Sequence, residues 1–334
     1  ALVTKDDKGL VAMHALTQRA VRGLTDAPER EALVAAVAGA LHAKLAKFDL
    51  DKPATYFIGR RYAAHARAVA AQAGAWGLLG AGPGRCGAGG GGVRQAAGGG
   101  GAGEGRARLL EDVIDMCIQG GNFFDAVGGQ YGQALEMFKV AQDCALALHG
   151  PEHPLVATTL NNMGEVYREL GRYEEALFHY GKAQDVFVAV YGDGHPLVAK
   201  TNMNIGVVYE KLGRFEEALV QYGKAQEVYV AVYGHMHPDV AKTHLGLGNV
   251  HDDLGDYEKA LFHHGKAQEV FVAVYGDGHL DVAKTHGNLG NVHESLGDYE
   301  KALFHHGKAL EVFVAVLGHE HPHVADTNLN IGAV

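Results

Sequence analysis

The chain is expected to be all-α, a solenoid of stacked antiparallel helix pairs. Three observations predict this. A unit of 42 residues recurs from His153 onward, marked by His153, His195, His237, His279 and His321. Other markers keep the same period: Gly164, Gly206, Gly248, Gly290 and Gly332; the pairs Leu170-Gly171, Leu212-Gly213, Leu254-Gly255 and Leu296-Gly297; and Ala176, Ala218, Ala260 and Ala302. Between the markers, apolar residues fall at helical spacing. A fixed period of roughly 20–50 residues marks an architecture in which one unit cannot bury its apolar face alone and a stack can.

Within Pro154–His195, helix A is expected from about Pro154 to Leu170. His153-Pro154 starts it, with Pro in the first turn where its missing N–H costs little, and Gly171 ends it. Helix B is expected from about Tyr173 to Tyr191, ending at Gly192-Asp193-Gly194. Leu160, Met163, Val166, Tyr167 and Leu170 line one face of helix A. Ala176, Leu177, Tyr180, Ala183, Val186, Phe187 and Val190 line one face of helix B. Gly164 and Ala176 are small because the two helices cross closely there, and larger residues would overpack the crossing.

The remainder divides into a segment 1–76, a segment 77–105 and the array 106–334. Residues 1–22 read as strand, turn at Asp7-Lys8-Gly9, strand and helix. Asp26-Ala27-Pro28 starts a further helix over 29–47, Lys52-Pro53 breaks the chain, and helix resumes over 54–76. Residues 77–105 hold 15 glycines in 29 positions. Such a segment buries too little apolar surface to offset its chain entropy, and is expected to be a disordered linker or insertion. Gly82-Pro83-Gly84-Arg85-Cys86-Gly87 matches GxGxxG by spacing, but no strand precedes it and no helix follows, so a dinucleotide site is not expected. Gly129 to Leu135 aligns with Gly171 to Leu177. Residues 106–128 then supply the first helix of a poorly matched terminal repeat.

Composition excludes several classes. A formal net charge of -10 argues against a general nucleic-acid binder. No apolar run is long enough for a membrane span, and Lys5, Asp6, Asp7 and Lys8 interrupt any signal-peptide core. Cys86, Cys117 and Cys144 form neither a CxxC pair nor an even set, which fits a reducing, cytoplasmic compartment. With no initiator Met and an end partway into a repeat, the chain is expected to be a piece of a longer protein. No catalytic constellation is found: Ser295, the only serine, has no elbow motif, and no HExxH occurs. No enzyme and no cofactor are expected.

Gly9 to Arg22, with Met13-His14 followed by Gln18 and Arg19, resembles the end of the winged-helix segment of STAND (NB-ARC-like) regulatory ATPases, a family that places helical repeats after it. No GxxxxGK[ST] phosphate loop accompanies it here. Met163-Gly164, Tyr167, Tyr173, Ala176 and Ala183 match the tetratricopeptide (TPR) pattern. The 42-residue period, the His-Pro-x-Val-Ala start and Leu160-Asn161-Asn162-Met163-Gly164 are similar to the long TPRs of kinesin light chains. The likeness extends over about residues 122–334.

The resemblance implies a protein-interaction scaffold whose A helices line a concave, peptide-binding groove. Carried onto this chain, the groove residues are Thr158, Asn161, Asn162, Glu165, Lys200, Asn204, Lys242, Asn249, Lys284, Asn288, Asn291 and Asn330. An amide offers both donor and acceptor, so an Asn row pairs with the backbone of an extended peptide of any sequence. Lys200, Lys242 and Lys284 favour an acidic peptide. Gly246 interrupts the Asn row. Affinity for one linear peptide is expected to be micromolar, about -8 kcal/mol.

Two other readings stand beside this one. The first is the sensor half of a STAND-type ATPase. The second is metal binding by the 21 histidines, with His263-His264 and His305-His306 adjacent on helix B and His244/His251 and His286/His293 two turns apart on helix A. Two turns is about 10 Å, too far for two ligands of one ion within a helix, and the His-Pro histidines read most simply as turn elements. Open repeat ends additionally offer self-association.

Overall fold

The computed structural model describes residues 102–126 and 129–334, and its chain falls into two units, Ala1–Val186 and Phe187–Val334. The expectations for residues 1–76, the winged-helix likeness included, lie outside the described residues. So do those for 77–101.

The first unit contains α1 (Ala102–Ala126), α2 (Tyr131–His149), α3 (Pro154–Glu169) and most of α4 (Tyr173–Tyr191), whose last turn belongs to the second. The second unit then runs α5 (Pro196–Lys211), α6 (Phe215–Tyr233), α7 (Pro238–Asp253), α8 (Tyr257–Tyr275), α9 (Leu280–Ser295), α10 (Tyr299–Leu317) and α11 (Pro322–Ala333). The described residues are helical throughout apart from short turns and contain no strand. Each A helix (α3, α5, α7, α9) is followed after three residues by its B helix. α1 starts at Ala102, four positions ahead of the expected boundary at 106.

The repeated histidine does more than mark a turn. In α3, α5, α7, α9 and α11 it is the N-cap, in extended backbone, and its Nδ1 accepts the N–H two residues on at 3.2–3.3 Å. This satisfies one of the helix's orphan donors. Before α5, α7 and α9, the tyrosine closing the previous B helix stacks on the capping ring, with centroids 4.3 Å apart for Tyr191–His195 and 4.2 Å for Tyr233–His237 and Tyr275–His279. The far end of each A helix closes in a Schellman turn. In α5, Gly213 N–H donates to Glu210 O and Arg214 N–H to Tyr209 O, at 3.0 and 2.8 Å. Gly213 sits at φ 70°, a left-handed backbone that suits glycine.

The core lies where A crosses B. A Cβ on Gly164 would fall 2.7 Å from the Tyr180 ring, and one on Gly206 2.7 Å from Tyr222. His264 and His306 occupy the same place over Gly248 and Gly290, at 2.5 Å. All four rings are buried, as are Ala176, Ala218, Ala260 and Ala302. Stacking continues the core between repeats of the second unit. Ala218 and Tyr222 of α6 pack on Leu247 and Val250 of α7, and Ala283 of α9 with Ala309 and Phe313 of α10 packs on Val324 of α11. This is the burial that a single helix pair cannot achieve.

Candidate functional site

In the first unit, α3 carries four of the residues singled out by sequence. Thr158 Oγ1 donates to Pro154 O at 3.0 Å, a bond within its own helix. Asn161 is only 4% exposed, so it faces the interior and leaves the ligand-accessible set. Asn162 is half-buried and its Nδ2 donates to Asn122 Oδ1 of α1 at 3.1 Å. Glu165 lies 3.7 Å from Arg168, which also pairs with Glu169 at 2.6 Å. Asp125 of α1 joins this group. Burial, then the nearby Glu165 and Glu169 carboxylates, push its carboxyl up to about 6, against the pull of Arg168. The α1/α3 face therefore pairs one guanidinium with three carboxylates.

The A helices of the second unit carry a row of lysines. Lys200, Lys242 and Lys284 are exposed on α5, α7 and α9. Lys242 pairs with Asp239 at 3.0 Å and Lys284 with Asp281 at 3.2 Å, each one helical turn back. Leu197 stands at that position before Lys200. Exposed pairs of this kind contribute little and leave the ammonium available to a ligand.

The asparagines of successive A helices bond to one another. Asn288 Nδ2 of α9 donates to Asn249 Oδ1 of α7 at 3.0 Å, and Asn330 Nδ2 of α11 to Asn291 Oδ1 of α9 at 3.3 Å. Asn249 also donates to Glu210 of α5, whose other partner is the Tyr222 hydroxyl, donating at 2.7 Å. Burial raises the Glu210 carboxyl, and these two donors lower it. A side-chain ladder thus links α5, α7 and α9. Each rung occupies one N–H or one oxygen lone pair of an amide that has two of each. Asn204 of α5 is half-buried and has an interaction partner within the protein.

Gly246 breaks the Asn row for a steric reason. A Cβ there would meet the Tyr222 ring at 2.6 Å, so Tyr222 of the preceding repeat occupies the volume. Sequence reasoning missed Asn122 and Asp125. Both sit in α1, where the glycine beneath the buried ring is Gly121, under Phe138. Gly121 precedes Gly164 by 43 positions, not 42, and the slip hides the register. Glu210 shares a repeat phase with Arg168, Asp252 and Glu294, a row that the long-TPR likeness also carries onto the groove.

The histidines do not gather into a metal centre: among the described residues no group of three or more His, Cys, Asp or Glu is placed to hold an ion. His263 and His264 turn to different surroundings. His264 is buried over Gly248, while His263 meets His244 and stacks on His251. Cys117 and Cys144 are buried free thiols, both pushed up, above all by burial. No helix among the described residues is long and apolar enough to cross a membrane.

The tetratricopeptide-repeat family model matches at residues 126–188, 179–229, 197–271, 239–313 and 281–334. The chain belongs to the tetratricopeptide-repeat family. Its TPR array is similar to BtubC from P. vanneervenii, at 22% identity and TM-score 0.55, covering 64% of this chain and 84% of that one. It is similar to a STAND protein with a tetratricopeptide repeat sensor from Pyrococcus horikoshii, at 17% identity and TM-score 0.54, covering 69% of this chain and 34% of that one. These two likenesses establish the fold. A kinesin light chain of nearly identical TPR-like repeats from Podosopora anserina aligns at 14% identity and TM-score 0.48, covering 63% of this chain and 96% of that one. No curated protein matches this sequence. TPR arrays are typically non-catalytic interaction scaffolds.

Proposed function

We propose that this TPR array is a non-catalytic adaptor that binds linear peptide segments on its A-helix face, with the second unit selecting acidic ones. The observation that carries the reading is the ladder of asparagines on α7, α9 and α11 beside Lys200, Lys242 and Lys284. The rungs hold each amide in a fixed orientation, and its remaining N–H and oxygen suit a peptide backbone. The lysines add attraction for carboxylates without demanding a fixed side-chain pattern. The α1/α3 face, with three carboxylates about Arg168, favours the opposite charge.

Fluorescence anisotropy against an acidic peptide library tests this. Replacing both Asn204 and Asn288 with Ala should weaken the hits by roughly tenfold, about 1.4 kcal/mol for lost hydrogen bonds. Unchanged affinity for every hit would remove the A-helix face from consideration. A cytoplasmic setting fits the free thiols. Self-association of the array would be read by analytical ultracentrifugation.

A second reading is that the array is the sensor half of a STAND-type ATPase. The likeness to the TPR sensor of the P. horikoshii protein and the residues Gly9 to Arg22 favour it. The full coding sequence decides: a phosphate-loop motif upstream supports it, and its absence there removes it.

A further inference from the structure

The first full repeat of the second unit differs from the next two at four positions. The α5/α6 pair has Asn202, Tyr209, Gln221 and Tyr222. The α7/α8 pair has His244, His251, His263 and His264, and the α9/α10 pair has His286, His293, His305 and His306. In α7/α8, Gln226 Nε2 of the preceding B helix donates to His244 Nε2 at 3.1 Å. The His244 proton then sits on Nδ1, which donates to His263 Nδ1 at 2.9 Å. Ring centroids are 5.2 Å apart, so the rings meet head on. The other face of His263 stacks on His251 at 5.5 Å and 3°. His264 is buried over Gly248, with its Nδ1 unpartnered. The arrangement repeats in α9/α10: Gln268 to His286 at 2.9 Å, His286 Nδ1 to His305 Nδ1 at 2.9 Å, and His293 stacked on His305.

Each head-on contact holds one proton. A second would set two N–H donors against each other between packed helices. Few counter-charges are at hand. Around the first cluster stand Lys259 and Lys266 of α8 and His235 of the preceding turn, with Asp256 3.8 Å from His251. Around the second stand Lys301 and Lys308 of α10 and Asp277, with Asp298 3.8 Å from His293 and Glu294 3.9 Å from His306.

We propose that α7–α10 form an acid-opened segment, in which protonation of the facing histidines parts each A helix from its B helix while the α5/α6 pair stays closed. The inference does not rest on peptide binding. Burial, then the facing imidazoles, hold His263 and His305 down to about 4, and burial with His263 does the same to His264. His244, His251, His286, His293 and His306 are lowered as well, first by burial. An opened histidine titrates near its ordinary value, about 6.5. The open form therefore takes up protons first as pH falls. The closed form is at full strength above about 6.5 and loses it steadily down to about 4. The capping histidines are common to every A helix, so their response cancels when repeats are compared.

Hydrogen-exchange mass spectrometry on the full chain at pH 7.5 and 5.0, corrected for intrinsic rates, tests this. One histidine lowered to about 4 shifts opening by about 30-fold at pH 5.0. Peptides from α7–α10 should gain at least that relative to α5/α6. An equal gain in α5/α6, or none in α7–α10, overturns the proposal. H244N with H263Q installs the residues of the preceding repeat. It should reduce the response in α7/α8 by about 30-fold, leaving what His251 and His264 supply, and leave α9/α10 responding in full; an undiminished response in α7/α8 overturns the role of the head-on pair. If that variant does not fold, the wild-type comparison of α5/α6 with α9/α10 decides alone.

Discussion

Glycine and histidine carry most of the specification at the scale of single residues. Gly206 has the Tyr222 ring where a side chain would begin, whereas Gly223, in the middle of α6, has nothing within 4 Å. Gly206→Ala should therefore cost about 1–3 kcal/mol through overpacking. Gly223→Ala should be neutral or stabilising by up to about 1 kcal/mol, because alanine is the better helix former. Urea denaturation of the two variants side by side checks the contrast. His237→Ala should cost about 0.5–2 kcal/mol in the same assay, because α7 loses its cap. The small residues at the helix crossing were legible in the sequence, since a glycine repeated in mid-helix, against its poor helix propensity, points to a close approach. What sits above them was not, because Tyr180 and Gly164 are joined only by folding. The Asn-to-Asn rungs were illegible for the same reason. Spacing put the amides on one face, but not within bonding distance of the next helix.

At the scale of elements, helix positions followed from the period almost to the residue. Helix B was expected at Tyr173–Tyr191 and is α4. Helix A was expected to reach Leu170, which instead caps α3. The one-residue slip in α1 obscured Asn122 and Asp125, and with them the negative face around Arg168. That face gathers carboxylates, whereas α5, α7 and α9 present lysines to solvent. Lys242→Glu with Lys284→Glu should weaken acidic peptides by about tenfold in low salt, and should flatten the dependence of affinity on ionic strength. Anisotropy titrations across a salt series read both effects, and a dependence as steep as wild type would count against the lysine row.

For the whole molecule, the consequence of repetition with variation is a stability that depends on pH. Each histidine that is neutral when closed and charged when open adds a slope of about 1.4 kcal/mol per pH unit between 6.5 and its folded value. Thermal unfolding should show a lower Tm at pH 5.0 than at 7.5. The quadruple variant H244N/H263Q/H286N/H305Q should narrow that difference, with His251, His264, His293 and His306 supplying what is left. The adjacent histidines were plain in the sequence, where metal binding was the reading they suggested. Only the facing nitrogens, contributed by different helices, reveal a proton-sharing contact.

The tyrosine sealed over glycine in α5/α6 also sets a clock. Tyr222 is fully buried, its ring edge presses on the Gly206 backbone, and its hydroxyl is tied to Glu210. A half-turn of that ring needs the two helices to separate briefly, because a packed interior leaves no room otherwise. The two sides of the ring should thus give distinct NMR signals at low temperature, merging only when the pair breathes fast enough. Their exchange rate would report, from one residue, how often this repeat opens.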